Sequence, residues 1–324
     1  MRFEFPDPAN FPETKALVFP KDRAFEIPKF ERPDKFPQDL DKLFAVVHDR
    51  YKTSTTKAMH RGVRRAAQAY FQFKVPGDSE MTEDGVAHRL VPTTKLLEYF
   101  HPQVTDLLAR DDPGPKDLRI DRQDRIINLE DHASLEKVRK FLSAVGLFDV
   151  LEGYARRKVG VRMVSVMVAR PSDRHNYQQF RDCETTTKLL NLHLDPKPGI
   201  LKAVINLSDV TARDGPFSVM KGSHKWEYDE VERIFAWGNS TSNYLQTPEH
   251  RQAACALPKR FRKNSIIGRM IPDGCELSNF FLKNLTRFTS DVATAIIFDP
   301  SFTFHRGSIC DKGGERITLQ VVLR

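Results

Sequence analysis

Two segments far apart in the chain, His193-Leu194-Asp195 and the stretch from His305 to Arg316, constrain the fold more than any other feature. Side chains alternate along an extended chain, so His193 and Asp195 project from one face while Leu192 and Leu194 take the other. Two imidazoles and one carboxylate are the donor set of the facial-triad Fe(II) site, which leaves coordination positions open. An H-x-D by itself arises by accident, so its surroundings matter. Lys188 to Leu194 reads as a short strand entering the turn Pro196-Lys197-Pro198-Gly199, and His305 follows an apolar strand, Thr294 to Phe298, and a turn at Asp299-Pro300-Ser301. A shared metal therefore requires two strand ends to meet.

The end of the chain extends this pattern. Arg316 to Leu323 alternates as a sheet strand should, with Arg316, Thr318 and Gln320 on one side. An arginine pointing into a protein interior is costly unless an anion meets it. Its planar fork suits a carboxylate, and the Thr318 hydroxyl is placed to add a hydrogen bond. Metal ligands His193, Asp195 and His305, with a clamp at Arg316 and Thr318, fit a site using Fe(II), 2-oxoglutarate and O2.

These segments resemble the phytanoyl-CoA dioxygenase-like branch of the Fe(II)/2-oxoglutarate oxygenases. The residues that carry the resemblance are His193-Leu194-Asp195, Ala203 to Val210, Asp214-Gly215-Pro216 through Gly222-Ser223-His224, Ile296 to Asp299, His305-Arg306-Gly307 and Arg316. It covers roughly residues 160 to 324, the earlier part matching only in general character. Ser290-Asp291 stands where a Gly-Asp turn is usual, a departure in turn chemistry. The resemblance implies a mainly β chain with α: a double-stranded β-helix (jelly-roll, cupin-like) barrel flanked by N-terminal helices. It also implies a dioxygenase in which His193, Asp195 and His305 hold iron and Arg316 holds the distal carboxylate of 2-oxoglutarate. Hydroxylation, desaturation or ring closure at an unactivated C–H bond of a biosynthetic metabolite would follow, with release of succinate and CO2. A radical halogenase on the same fold lacks the carboxylate ligand, so Asp195 speaks against it. A barrel that binds ligand or metal without turnover is the other alternative.

Composition limits the function classes. At 324 residues the chain can bury one large core as a single domain. No apolar run approaches the length of a membrane span, and Met1-Arg2-Phe3-Glu4-Phe5-Pro6 lacks the apolar core of a secretory signal. Cys183, Cys255, Cys275 and Cys310 show no paired spacing, which fits free thiols in a reducing, cytoplasmic setting. Cys310, close in sequence to the candidate site, is the one marked as oxidation-sensitive. The net charge of +8 is spread over Arg61 to Arg65, Arg156 to Lys158 and Lys259 to Lys263 and forms no single basic and aromatic stripe. That pattern predicts a small-molecule substrate and no nucleic-acid partner.

Residues 1–37 are rich in proline and read as an extended arm; 38–158 read as a helical extension; 159–324 read as the β core with an insertion at 226–288. Leu40, Leu43, Phe44 and Val47 predict one or two helices over Gln38 to Phe73. Met81 to Asp131 is mixed. Ser134 is the expected N-cap of a helix stopping near Gly146, and Leu147 to Arg157 continues as a second helix. Val161 to Ala169 is the first clear strand; either Arg162, Val164, Val166 and Val168 or Met163, Ser165 and Met167 face the metal. Arg162, Ser165 and Met167, with Arg174 and Tyr177 in the following polar loop, are the expected substrate contacts. His224 reads as part of a turn closing a hairpin. The insertion is long enough to serve as a lid or as the contact of a homodimer.

Overall fold

A computed structural model of the chain describes residues 36–50, 54–72, 79–110, 126–170, 192–195, 199–225, 234, 276–290, 293–308, 310–311 and 313–324. Most of the proline-rich arm, the loop carrying Arg174 and Tyr177, the turn at 196–198 and most of the stretch 226–275 lie outside them. The helices are α1 (Phe36–Arg50), α2 (Ser54–Gln72), α3 (Met81–Asp84), α4 (Thr94–Ala109), α5 (His132–Ala144), α6 (Leu147–Ala155) and α7 (Glu276–Asn284). The strands are β1 (Val86–Leu90), β2 (Ile126–Leu129), β3 (Val161–Ala169), β4 (Leu201–Asn206), β5 (Phe217–Val219), β6 (Thr286–Arg287), β7 (Thr294–Phe298), β8 (His305–Gly307) and β9 (Arg316–Leu323). None of the described helices is long and apolar enough to cross a membrane.

The chain divides into two compact units. The first comprises Met1–Val75, Leu189–Pro198 and Lys225–Asn284. Its α1 and α2 pair through Leu40, Leu43 and Phe44 on one helix and Val63, Ala66 and Ala67 on the other, all buried at helical spacing. Lys57, Arg61, Arg64 and Arg65 take the solvent side of α2. His60 bonds Asp41 at 2.7 Å while stacking on Phe44 at 4.5 Å between ring centroids.

The second unit comprises Pro76–Lys188, Gly199–His224 and Leu285–Arg324 and carries both sheets. The larger sheet runs β1-β7-β4-β9-β3-β2 and the smaller β6-β5-β8, every pair antiparallel. Register assigns the two faces of the larger sheet. Val164 lies opposite Val321, Val166 opposite Leu319 and Ile205 opposite Leu319, and these residues join one core with Leu96, Phe100, Val138 and Leu142. That face is covered by α4 and α5. The other face contributes Val86, Val204, Ile296 and Phe298 to a second cluster with Phe217, Val219 and Phe288 around the smaller sheet. Met163, Ser165 and Met167 share this second face with Thr318, so of the two sets on β3 it is theirs that looks toward the smaller sheet. β7 is buried along its whole length because it is covered on both faces.

Three local readings change. Asp131, not Ser134, caps α5: its carboxylate accepts from the Ser134 backbone N–H at 2.9 Å, which is the geometry of an N-cap three residues ahead of its donor. The strand expected over Lys188 to Leu194 lies partly outside the described residues, and Leu192 to Asp195 carries a single bridge residue, His193, rather than a ladder. The stretch 226–288 is not wholly an insertion, since β6 belongs to the smaller sheet through Ser218 opposite Arg287. Two strands, β1 and β2, also come from the region read as mixed. The architecture as described is mixed helix and antiparallel sheet.

Candidate metal centre

Leu192 and Leu194 are buried while His193 and Asp195 are half-buried, so the alternation in the sequence is kept. The His193 Nε2 and Asp195 Oδ1 atoms are 3.7 Å apart. His305, at the start of β8, is buried against Phe298 at 4.8 Å and Phe217 at 6.1 Å between ring centroids. One ligand atom from each of His193, Asp195 and His305 lies within 4.8 Å of the other two, and these three could hold a metal ion. Among the described residues no other group of three or more His, Cys, Asp or Glu does so.

The ring of His305 is oriented by its neighbours. Its Nδ1 donates to the Thr303 carbonyl at 3.0 Å, which leaves Nε2 as the lone-pair nitrogen a metal needs. Thr303 is held in turn, its hydroxyl donating to the Gly85 carbonyl at 3.1 Å and its N–H to the Asp299 carbonyl at 2.9 Å. Gly85 has φ +75°, and a Cβ there would come within 2.6 Å of both His224 Nδ1 and Thr303 Oγ1. Only glycine fits that approach. His224 bonds the Thr82 carbonyl at 2.9 Å, in keeping with a place in the turn rather than at the metal.

Arg316 opens β9 and is 9% exposed. Its Nη2 makes a long 3.5 Å bond to the Ser308 carbonyl, whereas Nε and Nη1 are buried with no hydrogen-bond partner. A Cβ on Gly307, in the strand that carries His305, would lie 3.8 Å from Arg316 Nη2. Burial lowers the pKa of this guanidinium from its ordinary value, against the attraction of Cys310 and Asp214. Asp214 is fixed by the Thr211 hydroxyl and N–H and by the Glu315 N–H. A buried cation with two unmet donors fits an anion better than it fits a closed core.

The other expected contacts take varied positions. Thr318 is buried on β9 between Met167 of β3 and Asn206 of β4. Met167 is half-buried on the face toward the smaller sheet. Ser165 spends its hydroxyl on Asn128 Oδ1 at 2.7 Å, and Arg162 is exposed beside a register shift in β3. Arg174 and Tyr177 lie outside the described residues. Sequence reasoning missed Asn206, although a lone amide closing the apolar run Ala203-Val204-Ile205 was a visible signal; it missed Gly85 and Thr303 because nothing local marks them.

No family model matches the chain, and no curated protein matches it. Solved structures similar to it include EctD from S. alaskensis, crystallised with 2-oxoglutarate and 5-hydroxyectoine (15% identity, TM-score 0.41, covering 75% of this chain and 73% of that one). Another is the non-haem α-ketoglutarate-dependent carbocyclase SnoK from nogalamycin biosynthesis (14%, TM-score 0.41, covering 75% and 80%). A third is HygX from Streptomyces hygroscopicus with nickel and 2-oxoglutarate bound (14%, TM-score 0.38, covering 75% and 83%). At these identities and TM-scores the likeness carries no functional weight, and the reading below rests on the residues themselves.

Proposed function

We propose that this chain is an Fe(II)/2-oxoglutarate-dependent oxygenase of the phytanoyl-CoA dioxygenase-like kind, oxidising an unactivated C–H bond of a small-molecule metabolite. One observation carries the reading: a His-Asp-His set within 4.8 Å coexists with a buried arginine, on the strand after His305, whose Nε and Nη1 lack partners. The strand order supports it. From β3 onward the chain passes repeatedly between the larger sheet (β3, β4, β7 and β9) and the smaller (β5, β6 and β8), as a double-stranded β-helix requires.

The donor set fits Fe(II), being two neutral imidazoles and one carboxylate with room for further ligands. His193, Asp195 and His305 hold the metal, and Asp195 neutralises one unit of its charge. Arg316 and Thr318 grip the far carboxylate of 2-oxoglutarate. Phe217 and Phe298 pack against His305 and exclude water from its side of the site. Met167 lines the substrate side from β3. When bound, iron with 2-oxoglutarate and O2 supplies the oxidising chemistry, releasing succinate and CO2. Four cysteines without paired spacing support a cytoplasmic setting.

Anaerobic loading with Fe(II) and 2-oxoglutarate, followed by air, tests the reading through succinate release. Wild-type protein should release succinate and His305→Ala none. Metal-loaded wild type that leaves 2-oxoglutarate intact across a panel of candidate substrates would favour a binding protein instead. Chlorinated product in chloride buffer would sink both the hydroxylase reading and the ligand role of Asp195.

A further inference from the structure

We propose that Asn206 is a third anchor for the carboxylate that Arg316 and Thr318 grip, donating a side-chain N–H to it; this rests on the functional reading above. Asn206 ends β4, is 1% exposed, and lies opposite Thr318 in the ladder with β9. It shares the face of Val204, the face turned toward the smaller sheet. Its backbone carbonyl is satisfied by the Thr93 hydroxyl at 3.1 Å. Its side-chain Oδ1 is buried with no hydrogen-bond partner.

Two buried side chains with unmet polar atoms therefore stand on paired strands, Asn206 through Oδ1 on β4 and Arg316 through Nε and Nη1 on β9, with Thr318 across from the first and two residues from the second. Buried polar atoms without partners destabilise a fold, and an aliphatic side chain of similar size would remove the penalty at Asn206. Retaining both in one place fits a common ligand. Arg316 offers only donors, so the ligand is an acceptor. The amide meets the same ligand by turning about its last side-chain bond, which brings its N–H donors to the position the oxygen takes now. Oxygen and nitrogen of an amide occupy nearly the same volume, so the turn needs no repacking.

Titration of 2-oxoglutarate into Mn(II)-loaded protein, which binds without turnover, tests the proposal alongside thermal melts of the metal-free protein. Asn206→Val should weaken 2-oxoglutarate binding about ten- to a hundred-fold, the loss expected for one hydrogen bond to a charged group. It should leave Mn(II) affinity unchanged and raise the melting temperature of the metal-free protein, because an unmet amide is gone. Asn206→Asp should weaken binding further, since it sets a second carboxylate against the first. Unchanged 2-oxoglutarate affinity in Asn206→Val with intact wild-type binding would overturn the role of Asn206 alone. A lowered melting temperature together with lost Mn(II) binding would make Asn206 a structural residue. Absence of binding to Mn(II)-loaded wild type would overturn the functional reading along with it.

Discussion

Arg316 shows at the scale of one residue how the sequence departs from what a core prefers. A guanidinium cannot shed its charge at neutral pH, so burying it without partners is tolerated only where something else meets it. Arg316→Ala should weaken 2-oxoglutarate binding by about 2–5 kcal/mol, the cost of truncating one side of a buried charge pair. Arg316→Lys should fall between, keeping the charge and losing the fork. Thr318→Val should cost about 1 kcal/mol. In all three, metal content measured on the purified protein should stay at the wild-type level, whereas His193→Ala and His305→Ala should lose it. Equal metal loss in Arg316→Ala would mark that residue as structural.

At the scale of elements, His305 is held by turns. Gly85 joins α3 to β1 and supports Thr303, which orients His305. Gly85→Ala places a side chain in a left-handed conformation at roughly 1–2 kcal/mol and forces Thr303 or His224 to move. The expected result is a lower melting temperature with weakened metal retention; a lower melting temperature with unchanged metal affinity would disconnect Gly85 from the site. The cap of α5 gives a pH-dependent case. The Ser134 backbone N–H holds the Asp131 carboxyl below its ordinary value. A depressed carboxyl contributes stability that is present above the unfolded value, near 3.9, and is lost as pH falls through the folded one. Thermal melts should show Asp131→Ala below wild type at neutral pH, with the gap closing in the acid range; Asp131→Asn should retain most of the cap.

Legibility followed element length. β3, β7 and β9 are apolar over enough residues to be read from sequence, and α1, α2 and α6 carry apolar spacing of helical period. β5, β6 and β8 hold two or three residues each, too few for any period to register. Their pairing comes from tertiary contact. The cap of α5 was misplaced because Asp131 and Ser134 are both good cap residues, and only the hydrogen bond between them decides which one accepts.

At the scale of the molecule, the proposed site draws on widely separated parts of the chain: His193 and Asp195 from one segment, His305 from a second, Arg316 and Thr318 from a third. The metal-ligand candidates were readable because His193 and Asp195 keep the spacing of one strand face and His305 follows a strand and a turn. The face assignment of β3 was not, since both of its faces are apolar and only register with β9 separates them. The positive charge of +8 suits a dianionic cosubstrate without identifying the substrate that is oxidised. The most direct test of the account is the dissociation constant of 2-oxoglutarate measured with and without Mn(II) on wild type and Arg316→Ala. The account predicts tight binding only for metal-loaded wild type, because one ligand must span the metal and the arginine. Binding that is indifferent to both metal and Arg316 would contradict it.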